Sequence, residues 1–453
     1  MTGVRETFER GAARHRRLAA DGFNVMRRFW LIGVIACVLA GGMAVSPLTV
    51  ATAISLALIV AGACRGLTGL ERRVVLTILL VAIGLRVLAI LGLFITSDAH
   101  HLAAFPFDGD GSFLKQRSLW IRNVWLSIPI DSSQFSSAFQ DYGWTGYIYV
   151  IGYLQYLLGP APYAVHLFNV CCFIGGAVLL HGMVRTSYGP SAAIVLLMVT
   201  LFLPTLFMWS ISALKESLFF LLLTTCLVGL VQTARGTGAL QRIAGCAAVF
   251  AAAAVLDTIR AGALFIVAAA TALALVATFV TKRVYVLVLA LLLLPAIGSW
   301  VLQRPSIQAR VLAHVQQAAS VHIGHVRSQG HGYKLLDQRF YSGDPFESMT
   351  WNEARRFAVR AVFSFITVPA PWQVSSRSEL LFLPQQLIWY CLVLLAVVGS
   401  IQGLRGDVFV TWVFIGMSCA GAAAIAMNSG NIGTLVRHRD SIVVPFVACL
   451  SAL

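Results

Sequence analysis

Apolar runs close to the length that crosses a bilayer, about 20 residues, recur from Phe29 to the end of the chain. Many are apolar all round and lack the charged outer stripe of a soluble helix. Lipid admits only helices or closed barrels as spanning forms. Of the 453 residues, 58% are hydrophobic and only 11% are charged. The chain therefore reads as an all-α, polytopic transmembrane helical bundle. Expected spans are 29–45, 48–64, 74–96, 161–184, 190–208, 213–233, 241–256, 259–281, 284–302, 384–402, 408–427 and 438–453, about 12 in all.

A net charge of +15 would suggest nucleic acid in a soluble protein. Here it follows the bias of cytoplasmic loops toward Lys and Arg. Seven arginines in residues 1–28, the segment 65–73, Arg185, Arg235, the turn 281–283 and Arg405 all fall on one side if the spans alternate. That side is read as the cytoplasm of a multi-pass protein in a plasma (inner) membrane. The run 144–158, WTGYIYVIGYLQYLL, is apolar but short and Tyr-rich. Counting it as a span would move Arg235 to the other face, so it reads as a helix at the interface or entering partway.

The organisation that follows is a basic cytoplasmic N-terminus, 1–28, and a transmembrane region, 29–302, holding a first large outer loop at 97–160. An extracytoplasmic loop or lid spans 303–383, with interfacial helices and one helix near 352–365, and a C-terminal transmembrane region spans 384–453. The nine cysteines lie in or beside apolar segments, without a C-x-x-C pair, and read as small buried hydrophobes. No phosphate-binding glycine loop, H-E-x-x-H or nucleophile elbow is present, which argues against ATP-driven transport and soluble hydrolase chemistry.

The polar residues that could do chemistry gather on the outer side. FDGDG at 107–111 puts Asp108 and Asp110 at the start of the first large outer loop, ahead of an expected interfacial helix. A carboxylate there is placed to act as a general base on an acceptor hydroxyl, and the pair also suits a divalent cation, Mg or Mn. A glycine-rich turn bonded to its own backbone is the plainer account. Lys215 and Glu216 adjoin a long apolar run, where ions are costly unless they face a cavity or pair. Asp257 and Arg260 suit either a helical-turn salt bridge or, for Arg260, a phosphate contact.

Arg437, His438 and Arg439 sit on a short outer loop, where few cations are expected, and that excess asks for an anion. Asn428, Gly430, Asn431 and Gly433 would let backbone amides approach the same group. Trp372 and Gln373 suit stacking on, and hydrogen bonding to, a sugar. The histidines 314, 322, 325 and 331 have irregular spacing and no zinc-ligand pattern.

With FDGDG at 107–111, YGPSAAIVLLMVTLFLPTLFMWSISALKES at 188–217 and PAPW at 369–372, the chain resembles the GT-C superfamily of integral-membrane glycosyltransferases, in particular bacterial members related to family 39. NIGTLVRHRDSIVVPF at 431–446 is similar to segments of bacterial membrane proteins of polysaccharide pathways. The resemblance implies an inverting transfer of a sugar from a polyprenyl-phosphate donor to a glycan, lipid or protein acceptor on the extracytoplasmic face. It also implies Asp108 as base with Asp110 supporting it, although glycine separates the two acids where many relatives have them adjacent. The expected partners are that donor, its acceptor and membrane lipids, with no nucleic acid. Two alternatives stand beside it: a capsule- or O-antigen-type polymerase or ligase using a polyprenyl-pyrophosphate glycan, and a lipid-linked saccharide flippase. Transport would place charges near mid-membrane, whereas these charges lie at the outer ends of the spans.

Overall fold

Prolines at helix starts and glycines at helix ends set many of the boundaries. Pro47, Pro162, Pro190, Pro204 and Pro305 each occupy a first turn, where the missing amide hydrogen would have no helical partner. Gly159 and Gly189 stop their helices with φ of 81° and 95°, a region that favours glycine. This computed structural model describes residues 33, 36, 37, 40–44, 46–96, 108–141, 143–281, 283–328, 331–373, 380 and 383–453.

Among these residues every named element is helical, and an isolated bridge joins Gly332 to Asn431. The first group is α1 (Pro47–Ala63), α2 (Gly69–Thr96), α3 (Asp108–Trp125), α4 (Ser132–Phe139) and α5 (Gly146–Leu158). The central group is α6 (Pro162–Tyr188), α7 (Pro190–Phe202), α8 (Pro204–Ile211), α9 (Glu216–Arg235), α10 (Ala239–Ile259), α11 (Ala263–Thr281) and α12 (Val284–Leu302). Three helices follow in the expected lid, α13 (Pro305–Arg327), α14 (Gln338–Tyr341) and α15 (Trp351–Thr367). The chain closes with α16 (Leu383–Arg405), α17 (Val408–Ala426), α18 (Ile432–Ile442) and α19 (Val444–Ser451).

Against about 12 expected spans, seven described helices are long and apolar enough to cross a membrane: α2, most of α6, α9, α10, α11, α16 and α17. Counting each bent pair as one crossing gives nine. The expected span 29–45 lies largely outside the described residues, and α1, with 17 residues, is shorter than a full crossing. The expected 190–208 span is broken: α7 and α8 meet at 61° around Pro204. Val288–Leu302 and Pro305–Arg327 meet at 84°.

The expected 438–453 span is also two short helices, because Pro445 cannot donate to the Ser441 carbonyl. α19 is nonetheless buried along its length and packs on α16 and α17. The expected interfacial helix is α5, whose 13 residues rise only about 20 Å. It packs against α3.

Close helix crossings use glycine. A Cβ on Gly229 of α9 would meet the Gly245 carbonyl of α10 at 2.8 Å, and one on Gly416 of α17 would meet the Ala270 carbonyl of α11 at 2.8 Å. The outer flanks leave Leu88, Phe250, Phe279 and Leu394 exposed, as lipid-facing surfaces require.

The charged turns separate by end. At one end Arg185 pairs with Glu71 at 2.5 Å, Arg235 with Asp407, and Tyr188 Oη bonds Thr411 Oγ1 at 2.7 Å. This juxtaposes turns that the alternation of spans assigned to one face. The N-termini of α3 and α9, the α10–α11 turn and the α17–α18 turn meet at the other end.

Candidate functional site

The site end is built around the turn 212–215, which joins α8 to α9. Its free carbonyls are held by α6: Asn169 Nδ2 donates to the carbonyls of Ser212 at 2.6 Å and Leu214 at 2.8 Å, and His166 Nδ1 lies 2.7 Å from the Ile211 carbonyl. Lower down, the α7–α8 bend is locked by Arg86 of α2. Its guanidinium donates to Ser210 Oγ at 2.7 Å and to the carbonyls of Leu201 at 2.8 Å and Ala82 at 3.1 Å, between the rings of Phe173 and Phe207. A lone arginine in an apolar run is the sequence signal for this lock, and it lies outside the outer loops.

Glu216 opens α9 and is buried. Its Oε1 accepts from Arg437 Nε at 2.7 Å and lies 3.6 Å from Arg260 Nη2. Arg437 is shared: its Nη1 donates to Asp110 Oδ2 at 2.7 Å. Lys215 Nζ donates to the Ile259 carbonyl at 3.1 Å, as does Thr145 Oγ1 at 2.9 Å. Three cations and two carboxylates from distant parts of the chain thus form one connected cluster. Burial, and then the charge of Arg260, push the Lys215 ammonium down to about 8.

The cluster faces a cavity of about 880 Å³, a size that suits a small organic ligand. Asp110, Lys215, Arg260, Arg437 and His438 line its polar side, joined by His325 of α13. Phe113, Ile266, Ile425 and Ile442 line the apolar side. Phe265, on α11, is 76% exposed, so that wall borders the apolar flank of the bundle.

Of the expected site residues, Asp110, Lys215, Arg260, Arg437 and His438 converge, with Glu216 just behind them. Arg439 does not. Two residues apart on a helix put Arg437 and Arg439 about 200° apart, and Arg439 points into the core. There it donates to the carbonyls of Phe365 at 3.2 Å and Val368 at 3.0 Å and to Gln386 Oε1 at 2.9 Å, over Trp389 and 3.6 Å from Asp440. Trp372 is 79% exposed and does not line the cavity. The backbone of Asp108 starts α3, but its side chain, like that of Gln373, lies outside the described residues.

The Asp257–Arg260 salt bridge is also replaced: Arg260 turns to Glu216, while Asp257 Oδ1 accepts from the Gly262 amide at 3.2 Å. The glycine and asparagine turn before α18 serves packing rather than an open anion nest. His322 Nδ1 and His325 Nδ1 lie 2.7 Å from the carbonyls of Ser429 and Asn428, Tyr333 Oη donates to Ser429 at 2.8 Å, and a Cβ on Gly430 would meet the His322 carbonyl at 2.2 Å. The lid helices therefore grip the cavity wall. Among the described residues no group of three His, Cys, Asp or Glu side chains gathers to hold a metal.

Family models, curated proteins and solved structures provide no match to the chain. A phosphate or other anion should bind in the cavity with an affinity that falls as pH rises through about 8, because Lys215 is charged below that value and neutral above it. Titration of inorganic pyrophosphate across that range checks this, and Lys215→Met should flatten the profile.

Proposed function

We propose that the chain is a membrane-embedded saccharide transferase of GT-C type. It moves a sugar from a polyprenyl-phosphate carrier to a hydroxyl of a glycan, lipid or protein acceptor on the extracytoplasmic face of a plasma (inner) membrane. One observation carries this reading: Asp110, Lys215, Arg260 and Arg437 line a single cavity that borders the apolar flank of the bundle at exposed Phe265. A lipid phosphate enters from such a flank with its chain still in the bilayer, and the guanidinium forks match its oxygens. The acceptor oxygen then attacks the sugar carbon that bears the phosphate, while a carboxylate of the Asp108/Asp110 pair takes the hydroxyl proton. The carbon–oxygen bond to phosphate breaks, both electrons leave with the phosphate, and the basic side chains hold the new charge.

The test uses Asp108→Asn and Asp110→Asn proteins, each folded and inserted, with a polyprenyl-phosphate-linked sugar. At least one should lose about 10²- to 10⁴-fold in transfer. Wild-type rates in both reject the reading.

The 2.7 Å pair between Asp110 and Arg437 favours a second reading, a polymerase or ligase that uses a polyprenyl-pyrophosphate glycan and relies on arginines. In that enzyme Arg437→Gln and Arg260→Gln would be far more damaging than either aspartate change. Transport has lost the argument first set against it, since Arg86, Arg439 and Asp440 are charges buried within the bundle. These charges do not line the cavity: Arg86 and Arg439 are bound to backbone carbonyls, and Asp440 lies beside Arg439, so they trace no path across the bundle.

A further inference from the structure

Arg437 holds two carboxylates that differ in character. The Glu216 side chain is only 2% exposed and shares its oxygen with Arg260, so that contact is part of the core. The Asp110 side chain is 71% exposed and sits in the first turn of α3, where it caps the guanidinium from the cavity side. A solvent-exposed ion pair contributes little to stability, whereas breaking a buried one is strongly destabilising. The two bonds are therefore unequal, and only the outer one can be given up cheaply.

We infer that the Asp110 carboxylate is an internal placeholder for the ligand's phosphate, which displaces it from Arg437 Nη1 on binding. This deepens the transferase reading and rests on it. A phosphodiester presents one negative charge and two free oxygens, as a carboxylate does, so the same guanidinium fork suits either. Lys215 and Arg260 flank the position, so the incoming group gains contacts that Asp110 does not make. The exchange has two consequences. The empty cavity keeps its cation neutralised, and the carboxylate becomes free of Arg437 only when the donor phosphate has arrived. A base that is released by its own substrate is not wasted on water.

The ligand chemistry, a phosphate mono- or diester anion, could come from a lipid headgroup or from a free ion, so the assay uses both farnesyl phosphate and inorganic pyrophosphate. Binding to the detergent-solubilised full chain is measured calorimetrically for wild type, Asp110→Asn, Arg437→Gln and Asp141→Asn. The last removes an exposed charge two residues from cavity-lining Gly143 without touching Arg437. If Asp110 competes for the subsite, Asp110→Asn binds about twofold to fivefold tighter than wild type, Asp141→Asn changes little, and Arg437→Gln abolishes binding. Tighter binding of farnesyl phosphate than of pyrophosphate identifies the lipid headgroup as the source, and the reverse order identifies the free ion.

Equal or weaker binding by Asp110→Asn overturns the placeholder while leaving the transferase reading intact. Equal tightening by Asp141→Asn also overturns it, as a general field effect. Absence of binding in wild type overturns both. Because Asp110 is exposed, the asparagine variant is expected to fold, and its thermal midpoint, measured alongside, should match wild type.

Discussion

Arg437→Gln is expected to reduce saccharide transfer by about 10²- to 10³-fold, the loss found when a positioned donor to a developing anion is removed. The cause is specific. Arg437 is the residue that joins buried Glu216 to exposed Asp110, with 2.7 Å bonds to each, and it lies on the cavity wall. Arg437→Lys tests the geometry rather than the charge, since one ammonium on a flexible stem cannot reproduce a planar fork that spans two carboxylates. Its transfer rate should remain well below wild type, although the net charge of the site is preserved. Turnover of a lipid-phosphate-linked sugar by the purified variants measures both effects, and a lysine variant with full activity would remove the fork from the mechanism.

Glu216→Ala should produce the largest loss of stability, about 3 to 5 kcal/mol, the usual result of removing one partner from a buried ion pair. Without that carboxylate, Arg260 and Arg437 both face the place it occupied; Arg437 keeps only the exposed Asp110, and Arg260 pairs with no other carboxylate among the described residues. Glu216→Gln keeps the shape but not the charge, so it should lose nearly as much. Denaturation midpoints in a mild detergent give the comparison. The contrast is Asp337, half-exposed and paired with Arg356 and Arg360 on the lid, where removal of the carboxylate should change the midpoint by no more than about 1 kcal/mol.

The site was more legible than the span count. Lys215 and Glu216 stand out because an ion beside a long apolar run must have a partner, and an arginine cluster on a short outer loop asks for an anion. The resemblance of FDGDG and its companion segments points to Asp108 as base with Asp110 supporting it; of the two, the Asp110 side chain is the one described, and it lines the cavity. None of these signals separates Arg437 from Arg439, because that choice depends on which face of α18 meets the cavity. The helix phase is set by packing on α8, α9, α17 and α19, which turns Arg439 toward Gln386 and Arg437 toward the cavity.

Spans failed where a proline interrupts an otherwise continuous apolar run, at Pro204 and Pro445, since hydropathy averages over the break. At the first break the Leu201 carbonyl and the Ser210 hydroxyl accept from Arg86, on a helix more than 100 residues away in sequence. Composition cannot report such a partner. The boundary of α15 was easier, because Thr350 and Glu353 form a capping box: Glu353 Oε2 accepts from the Thr350 amide at 2.8 Å and Thr350 Oγ1 from the Glu353 amide at 3.3 Å.

The Glu216–Arg437 bond also sets a timetable for biogenesis. The two residues are 221 apart in sequence, so a ribosome adding about 5 to 20 residues per second makes the arginine roughly 10 to 40 s after the glutamate. During that interval the nascent chain has Lys215 and Arg260, but not Arg437, to balance a carboxylate already committed to the bundle. The basic cavity is thus completed only when α18 has left the translocon, and a chain stalled before that point carries Glu216 without its 2.7 Å partner.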